Sequence, residues 1–254
     1  MFHKIDERTY RAHPALSRSL LDHIIKSPAH LKWAQENEQP DTDYFRLGRL
    51  VHAAVLEPDR FFSSTVIWTG ARRFGKAWDE FQAKNSDKEI LKPEEESQLT
   101  AMCNAVIQHC GTIDGQAEAS VFWKHERTGL DLKARLDLVG NNYIYDLKTT
   151  QTASADHFME SVKNFGYHRQ AAYYLDAAKA VGHPAEKFIF IAVEKTSPHF
   201  VQTFELDDAF IARGRLENEI NLTTYKACKD SGEWPAYPKQ AHLLRYSDVR
   251  IQGD

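Results

Sequence analysis

Cysteine is scarce in this sequence. Its 254 residues include three, Cys103, Cys110 and Cys228, which form no CxxC pair and leave one over in any pairing. Three cysteines cannot supply a four-cysteine iron–sulfur cluster, and they fit reduced thiols in a cytoplasmic setting better than a disulfide framework. Long apolar runs are missing as well: nothing approaches the ~18 residues that a membrane helix needs. The opening MFHKIDERTYRAHPALS has none of the apolar centre of a secretory leader. The expectation is a cytoplasmic protein with no membrane partner. Excess positive charge is also lacking. Lysine and arginine number 32 against 36 aspartates and glutamates, a formal charge of −4. The molecule as a whole is therefore no basic coat for nucleic acid, and any grip on phosphates must come from local clusters. There is no internal repeat, low-complexity tract or Pro/Ser-rich linker, so a single domain over 1–254 is expected.

What is present divides in two. Residues 1–115 read as mainly helical. Ser17 can cap LLDHIIK, Ser27-Pro28 opens another helix, and Pro93 starts a third that runs to about Cys110. In DYFRLGRLVHAAVLEP, Leu47, Leu50, Val51, Ala54 and Val55 share one helical stripe, which Pro58 ends. From 116 the pattern turns to period two. SVFWKHE, TGLDLKARLDLV and NYIYDLKTT are successive strands, joined by turns at Arg127-Thr128-Gly129 and Asn141-Asn142. Helices follow at about 154–164 and 167–181, and then KFIFIAVEK reads as a buried central strand. HFVQTFEL is a further strand, and Asp207 opens a long final helix. The class is α/β with a helical N-terminal part.

The hairpin ARLDLVGNNYIYDLKTT concentrates the chemistry. A two-residue Asn141-Asn142 loop, in a type I′ turn that needs positive φ at both positions, makes the numbers of paired residues sum to 283. Leu130, Leu132, Ala134, Leu136 and Leu138 then share an apolar face with Tyr143, Tyr145 and Leu147. Asp137 lies opposite Asp146, and Lys148 lies opposite Arg135. Like charges directly across a ladder are destabilising, and a hard divalent cation between the carboxylates would relieve this. A solvated polar face, neutralised by Arg135, is the alternative. In the metal-free protein, loss of Asp146 should relieve this repulsion, so the melting temperature of Asp146→Ala should hold or rise. Elsewhere, Gln170 and Tyr174 are spaced i, i+4 on the second helix of the core. His52 stands off the apolar stripe of its helix. Arg72, Arg73 and Lys76, interleaved with Trp68, Phe74 and Trp78, form a candidate DNA contact, or else a surface loop whose aromatics pack inward.

Taken in order, LGRLVHAAVLEP, ARLDLV, YDLKTT and HRQAAYYL resemble the RecB-like branch of the PD-(D/E)XK nuclease superfamily. Within it the chain is most similar to the RecE type, the C-terminal domain of exodeoxyribonuclease VIII. The likeness extends over roughly residues 15 to 180, with LSRSLLDHIIKSPAHLKWA before the histidine helix, EPDRF after it and a WPAY near the end. It implies a central mixed sheet flanked by helices. It also implies that Asp137 and Asp146 bind metal, that Lys148 is the catalytic lysine and that His52 joins the metal site. Gln170 and Tyr174 would steady the site and the DNA backbone, and Glu118 could add an acidic ligand. The implied cofactor is Mg²⁺, with Mn²⁺ able to substitute, and no iron–sulfur cluster. The implied activity is 5′-to-3′ digestion of one strand from double-stranded DNA ends, leaving 3′ tails for recombination. The implied partners are a single-strand annealing protein of RecT type and copies of the chain in a ring. A PD-(D/E)XK endonuclease of restriction or repair type shares the same site chemistry, and a non-catalytic DNA-end scaffold shares the fold.

Overall fold

The computed structural model describes residues 1–37, 43–183, 185–241 and 243. Strands β4 (Gln116–Lys124), β5 (Asp131–Val139), β6 (Tyr143–Thr150), β7 (Lys187–Glu194) and β8 (Val201–Glu205) form a mixed sheet in that order. β6 and β7 run parallel and the other neighbours antiparallel. β4 occupies one whole edge of β5. The other edge is shared: β6 takes its C-terminal end, and the two-residue β1 (Leu16–Ser17) takes its start, pairing Leu16 with Leu132 and Ser17 with Lys133.

The β5–β6 register agrees with the sequence only at its closed end. Gly140 N–H donates to Tyr143 O at 2.9 Å, and Val139 pairs with Ile144 and Leu138 with Tyr145. There the ladder stops. Neither Asn141 nor Asn142 has positive φ, so the turn is not type I′. Turns of the unprimed kinds mismatch strand twist and splay the strands. The continuous apolar face expected of the hairpin is therefore corrected: Leu136 joins the apolar cluster on one side of the sheet and Leu147 the cluster on the other. The β5–β6 pairing comprises only Leu138 with Tyr145 and Val139 with Ile144, so Lys148 and Arg135 are not partners across it.

The two clusters are the two layers of core. On one side α8 (Ala155–Phe165), α9 (Tyr167–Ala180) and α10 (Asp208–Ser231) cover Leu136, Ile144, Phe188 and Phe190. On the other, α4 (Asp43–Leu56) and α7 (Pro93–Cys110) lay Leu50, Val51, Leu99 and Met102 against Leu147, Ile191 and Val193. The N-terminal part also holds α1 (Glu7–Ala12), α2 (Arg18–Leu21), α3 (Pro28–Glu36), α5 (Pro58–Ser64) and α6 (Lys76–Lys84). It is less purely helical than its sequence suggests, because β2 (Thr65–Ile67) and β3 (Glu89–Leu91) make a small parallel pair. The expected caps are in place: Ser17 accepts from Leu20 N–H at 3.3 Å, and Asp207 from Phe210 N–H at 2.9 Å.

Two features fix the arm and the helices that frame the site. Residues before β1 lie along the free edge of β4, where His3 and Ser120 exchange both backbone hydrogen bonds. The buried ammonium of Lys133 closes the end of α1, donating to the carbonyls of Tyr10, Arg11 and His13 at 2.8, 3.1 and 2.7 Å. α9 and α10 cross so closely at Gly214 that a Cβ there would stand 2.2 Å from His168 O.

The same seam carries a charge cluster. Glu217 of α10 accepts from Arg213 at 2.5 Å and from His168 and Arg169 of α9 at 3.0 Å each. Burial alone would raise its carboxyl, but these hydrogen bonds outweigh it and lower the pKa from 4.5 to about 2. A depressed carboxyl contributes stability above its unfolded value and loses it as pH falls through the folded one. Glu217→Gln should therefore cost about 1–2 kcal/mol at pH 7, allowing for partial solvent screening. That deficit should shrink steadily from about pH 5 toward pH 2. Urea unfolding of both proteins across this range measures the convergence.

Candidate active site

The gap left where β6 parts from β5 is filled by side chains. Asp137 on β5 accepts from the Leu147 N–H of β6 at 2.9 Å, so its carboxylate replaces the missing ladder bond and bridges the strands. On the other edge of β5, Ala117 pairs with Leu138 and Ala119 with Leu136, but Glu118 between them makes no pair. Its φ is +51°, in the left-handed region. A side chain other than glycine reaches that region at a cost of about 1–2 kcal/mol, and such residues gather at functional sites. Arg135 ion-pairs with the Glu118 carboxylate. The alternative in which Arg135 neutralises the aspartate pair is therefore set aside.

α4 supplies His52, whose Nδ1 stands 3.2 Å from Asp137 Oδ2. The N-terminal helices thus form one wall of the cleft. One ligand atom each from His52, Glu118 and Asp137 lies within 4.8 Å of the other two. From the opposite side of the sheet, Gln170 on α9 donates Nε2 to Asp146 Oδ1 at 2.5 Å. Lys148 Nζ is 2.5 Å from Asp146 Oδ2, an ion pair that leaves this buried oxygen without an aligned hydrogen bond. Tyr174, one turn beyond Gln170, packs at the margin of the α8–α9 core against Phe188. Asp146 is 1% exposed at its side chain, whereas Asp137, Lys148 and His52 keep 16, 20 and 25%, so the group opens to solvent on the Asp137 side.

The electrostatics suit a divalent cation at this group. Burial, then the charge of Asp146, push the Asp137 carboxyl well above the usual range, with Lys148 opposing. Burial also lowers His52, against the pull of Asp146, and so favours the neutral imidazole that metals bind. Lys148 is raised: burial would lower it, but Asp146 and Asp137 overcome that and keep it an ammonium. A carboxyl held above its usual range at Asp137, an imidazole pushed toward its neutral form at His52 and an unaligned carboxylate oxygen on Asp146 form an oxygen-rich donor set suited to a hard divalent ion.

If His52 belongs to that set, His52→Ala should weaken Mn²⁺ binding about tenfold or more, while its melting temperature stays within a few degrees of wild type. Titration calorimetry on the two metal-free proteins measures this.

In the basic loop the two tryptophans pack locally and Arg73 is held by its neighbours. Arg73 donates to Ile90 O at 2.9 Å, lies 3.5 Å from Glu95 and stacks on Trp78. Trp68 packs edge-on against Trp78 at 5.4 Å and against Phe81 at 4.8 Å, so these aromatics serve the local fold. Arg72 lies over the exposed Phe74, and the exposed Lys76 is 3.8 Å from Glu80. One neighbour of the site, Tyr167, is not among the residues that the sequence singles out, although it carries one usable signal: it lies three residues before Gln170, on the same helical stripe.

The sequence profile of one family, described as PDDEXK-like domain of unknown function (DUF3799), matches residues 17–247. No curated protein matches the chain. Among solved structures, a candidate exonuclease from Eubacterium rectale superposes with a TM-score of 0.64 over 98% of this chain and 99% of its own, at 13% identity. A phage-related exonuclease from Haemophilus somnus 129PT gives 0.40 over 88% and 98%, also at 13% identity. An alkaline exonuclease from Laribacter hongkongensis gives 0.36 over 72% and 95%, at 16% identity. At such identities the first likeness establishes a shared fold.

Proposed function

Because the chain belongs to the PDDEXK-like family over residues 17–247, we propose that it is a metal-dependent deoxyribonuclease that digests double-stranded DNA from its ends. The observation that carries this reading is the grouping of Asp137, Asp146 and Lys148 in the cleft where β5 and β6 part, with His52 and Glu118 beside Asp137. Asp137, Asp146, Glu118 and His52 would hold a divalent cation, magnesium with manganese able to replace it, which when bound supplies Lewis acidity to the phosphate and acidifies a water. The chain's own groups do the rest. The Lys148 ammonium offers N–H donors and positive charge to a phosphate oxygen on which negative charge grows. Gln170 fixes one oxygen of Asp146, and the Leu147 N–H fixes one of Asp137, so both carboxylates are oriented before substrate arrives. By the likeness to RecE-type enzymes, Tyr174, one turn further along α9, would steady the DNA backbone.

Degradation 5′ to 3′, with 3′ tails passed to an annealing protein of RecT type, follows from the likeness to RecE-type enzymes. A ring of copies would reconcile the −4 charge with DNA binding, since basic groups need only line its channel. Arg72 and Lys76 are the loop cations best placed for phosphates, because Arg73 is engaged by Glu95 and Ile90. Digestion of linear and covalently closed circular duplex, each with and without Mg²⁺, tests the proposal. Loss of the linear DNA alone, and only with metal, is expected. Cleavage of the closed circle would make the protein an endonuclease, and no cleavage of either would leave a DNA-end scaffold.

A further inference from the structure

The Lys148 side chain is not held by Asp146 alone. Its Nζ lies 4.9 Å from the centroid of the Tyr167 ring, on the ring face. Tyr167 is the first residue of α9, and with Gln170 and Tyr174 it makes an i, i+3, i+7 stripe, so one helical face addresses both members of the Asp146–Lys148 pair. The ring is itself braced. It stacks on the fully buried Phe190 at 5.3 Å and 25°, with Phe158 and Phe165 at 5.7 and 5.8 Å. Phe190 is the β7 partner of Asp146, so the same register that places the carboxylate also places the floor under the ring.

We propose that Tyr167 is a positioning residue for the nuclease reaction: its ring face, braced on Phe190, holds the Lys148 ammonium in line with the cleft. This rests on the reading of Lys148 as catalytic. A lysine has four side-chain torsions to restrict, and one ion pair leaves the ammonium free to pivot about the carboxylate. A ring face on a second side removes that freedom through attraction between the cation and the ring quadrupole. The third side is left for a phosphate oxygen.

Tyr167→Leu should lower kcat about tenfold with KM for DNA changed less than twofold, because the group it restrains acts on the transition state and not on ground-state binding. Tyr167→Phe, which keeps the ring, should recover most of that loss. A readout independent of catalysis uses lysine labelled with ¹³C at Cε in the metal-free protein. The Lys148 ε protons should be shifted upfield by the ring in wild type and Tyr167→Phe, and should return toward the ordinary lysine position in Tyr167→Leu. Lys148→Ala assigns the resonance and serves as the control in the activity assay. If Lys148→Ala keeps full activity, the nuclease reading of the site fails. If Lys148→Ala is inactive while folded Tyr167→Leu matches wild type in kcat, the role of Tyr167 fails alone. An unshifted Lys148 resonance in wild type overturns the geometry itself, including where Tyr167→Leu folds too poorly to assay.

Discussion

Asp146→Asn and Lys148→Ala should each reduce DNA hydrolysis by about a thousandfold or more, measured as turnover on linear duplex with saturating Mg²⁺. Losing one preorganised charge-stabilising group from a partly dry site commonly costs two to three orders of magnitude. Here each residue also supports the other, through the 2.5 Å contact between Nζ and Oδ2. Stability should respond in a way that the hairpin alone does not suggest. Relief of carboxylate repulsion would leave Asp146→Ala as stable as wild type or more so. In the folded protein Asp146 also accepts from Gln170 and pairs with Lys148, in a place where its side chain is 1% exposed. Removing it strands a buried amide and a partly buried ammonium, which costs about 1–3 kcal/mol each. The relief of Asp137 offsets part of this. A melting temperature a few degrees below wild type is therefore expected for Asp146→Ala, and one at or above wild type would show that repulsion dominates. Asp146→Asn keeps an acceptor for Gln170 and should fall between the two. Substantial cleavage by either Asp146→Asn or Lys148→Ala would remove these residues from the chemistry.

The second large effect concerns a residue outside the candidate site. Gly214→Ala should destabilise the protein by about 2–3 kcal/mol, a drop of roughly 5–10 °C for a chain of this size. In an exposed helix the change would instead stabilise by close to 1 kcal/mol, since alanine is the better helix former. The sign reverses because the added Cβ would meet the His168 carbonyl at 2.2 Å and Ala172 Cβ at 3.0 Å. Neither neighbour is the yielding end of a flexible side chain, so α9 or α10 must move. α9 carries Gln170 and Tyr174, so turnover should fall along with the melting temperature. Thermal unfolding and kcat on one preparation measure both. An unchanged or raised melting temperature would mean that the helices separate at no cost.

These cases also mark what the sequence reveals. Patterns set by a single segment are legible: the apolar stripe of α4, the caps at Ser17 and Asp207, and the pairing of Leu138 with Tyr145. Candidate site residues from five separate elements, α4, β4, β5, β6 and α9, converge on one cleft. What is hidden depends on how segments meet. The parting of β5 and β6 follows from a turn without positive φ, although an Asn-Asn pair tolerates the other kind. Glu118 gives no hint of its left-handed backbone, because that conformation is imposed by the strand beside it and by Arg135. Gly214 reads as a mild flaw in a long helix until its neighbour is known.

The two-residue strand β1 has a kinetic consequence. It closes the half of β5 that β6 abandons, yet Leu16 and Leu132 stand far apart along the chain. The hairpin of β4 and β5 can form locally and early, whereas closure by β1 must wait for a long loop to be drawn in, a slow and entropically costly step. Until then the first residues of β5 are a bare edge of backbone donors and acceptors, of the sort that recruits strands from other molecules. Changes that weaken the docking of this segment, at Lys133 for instance, should therefore appear first as aggregation during refolding, at protein concentrations that the wild-type chain tolerates.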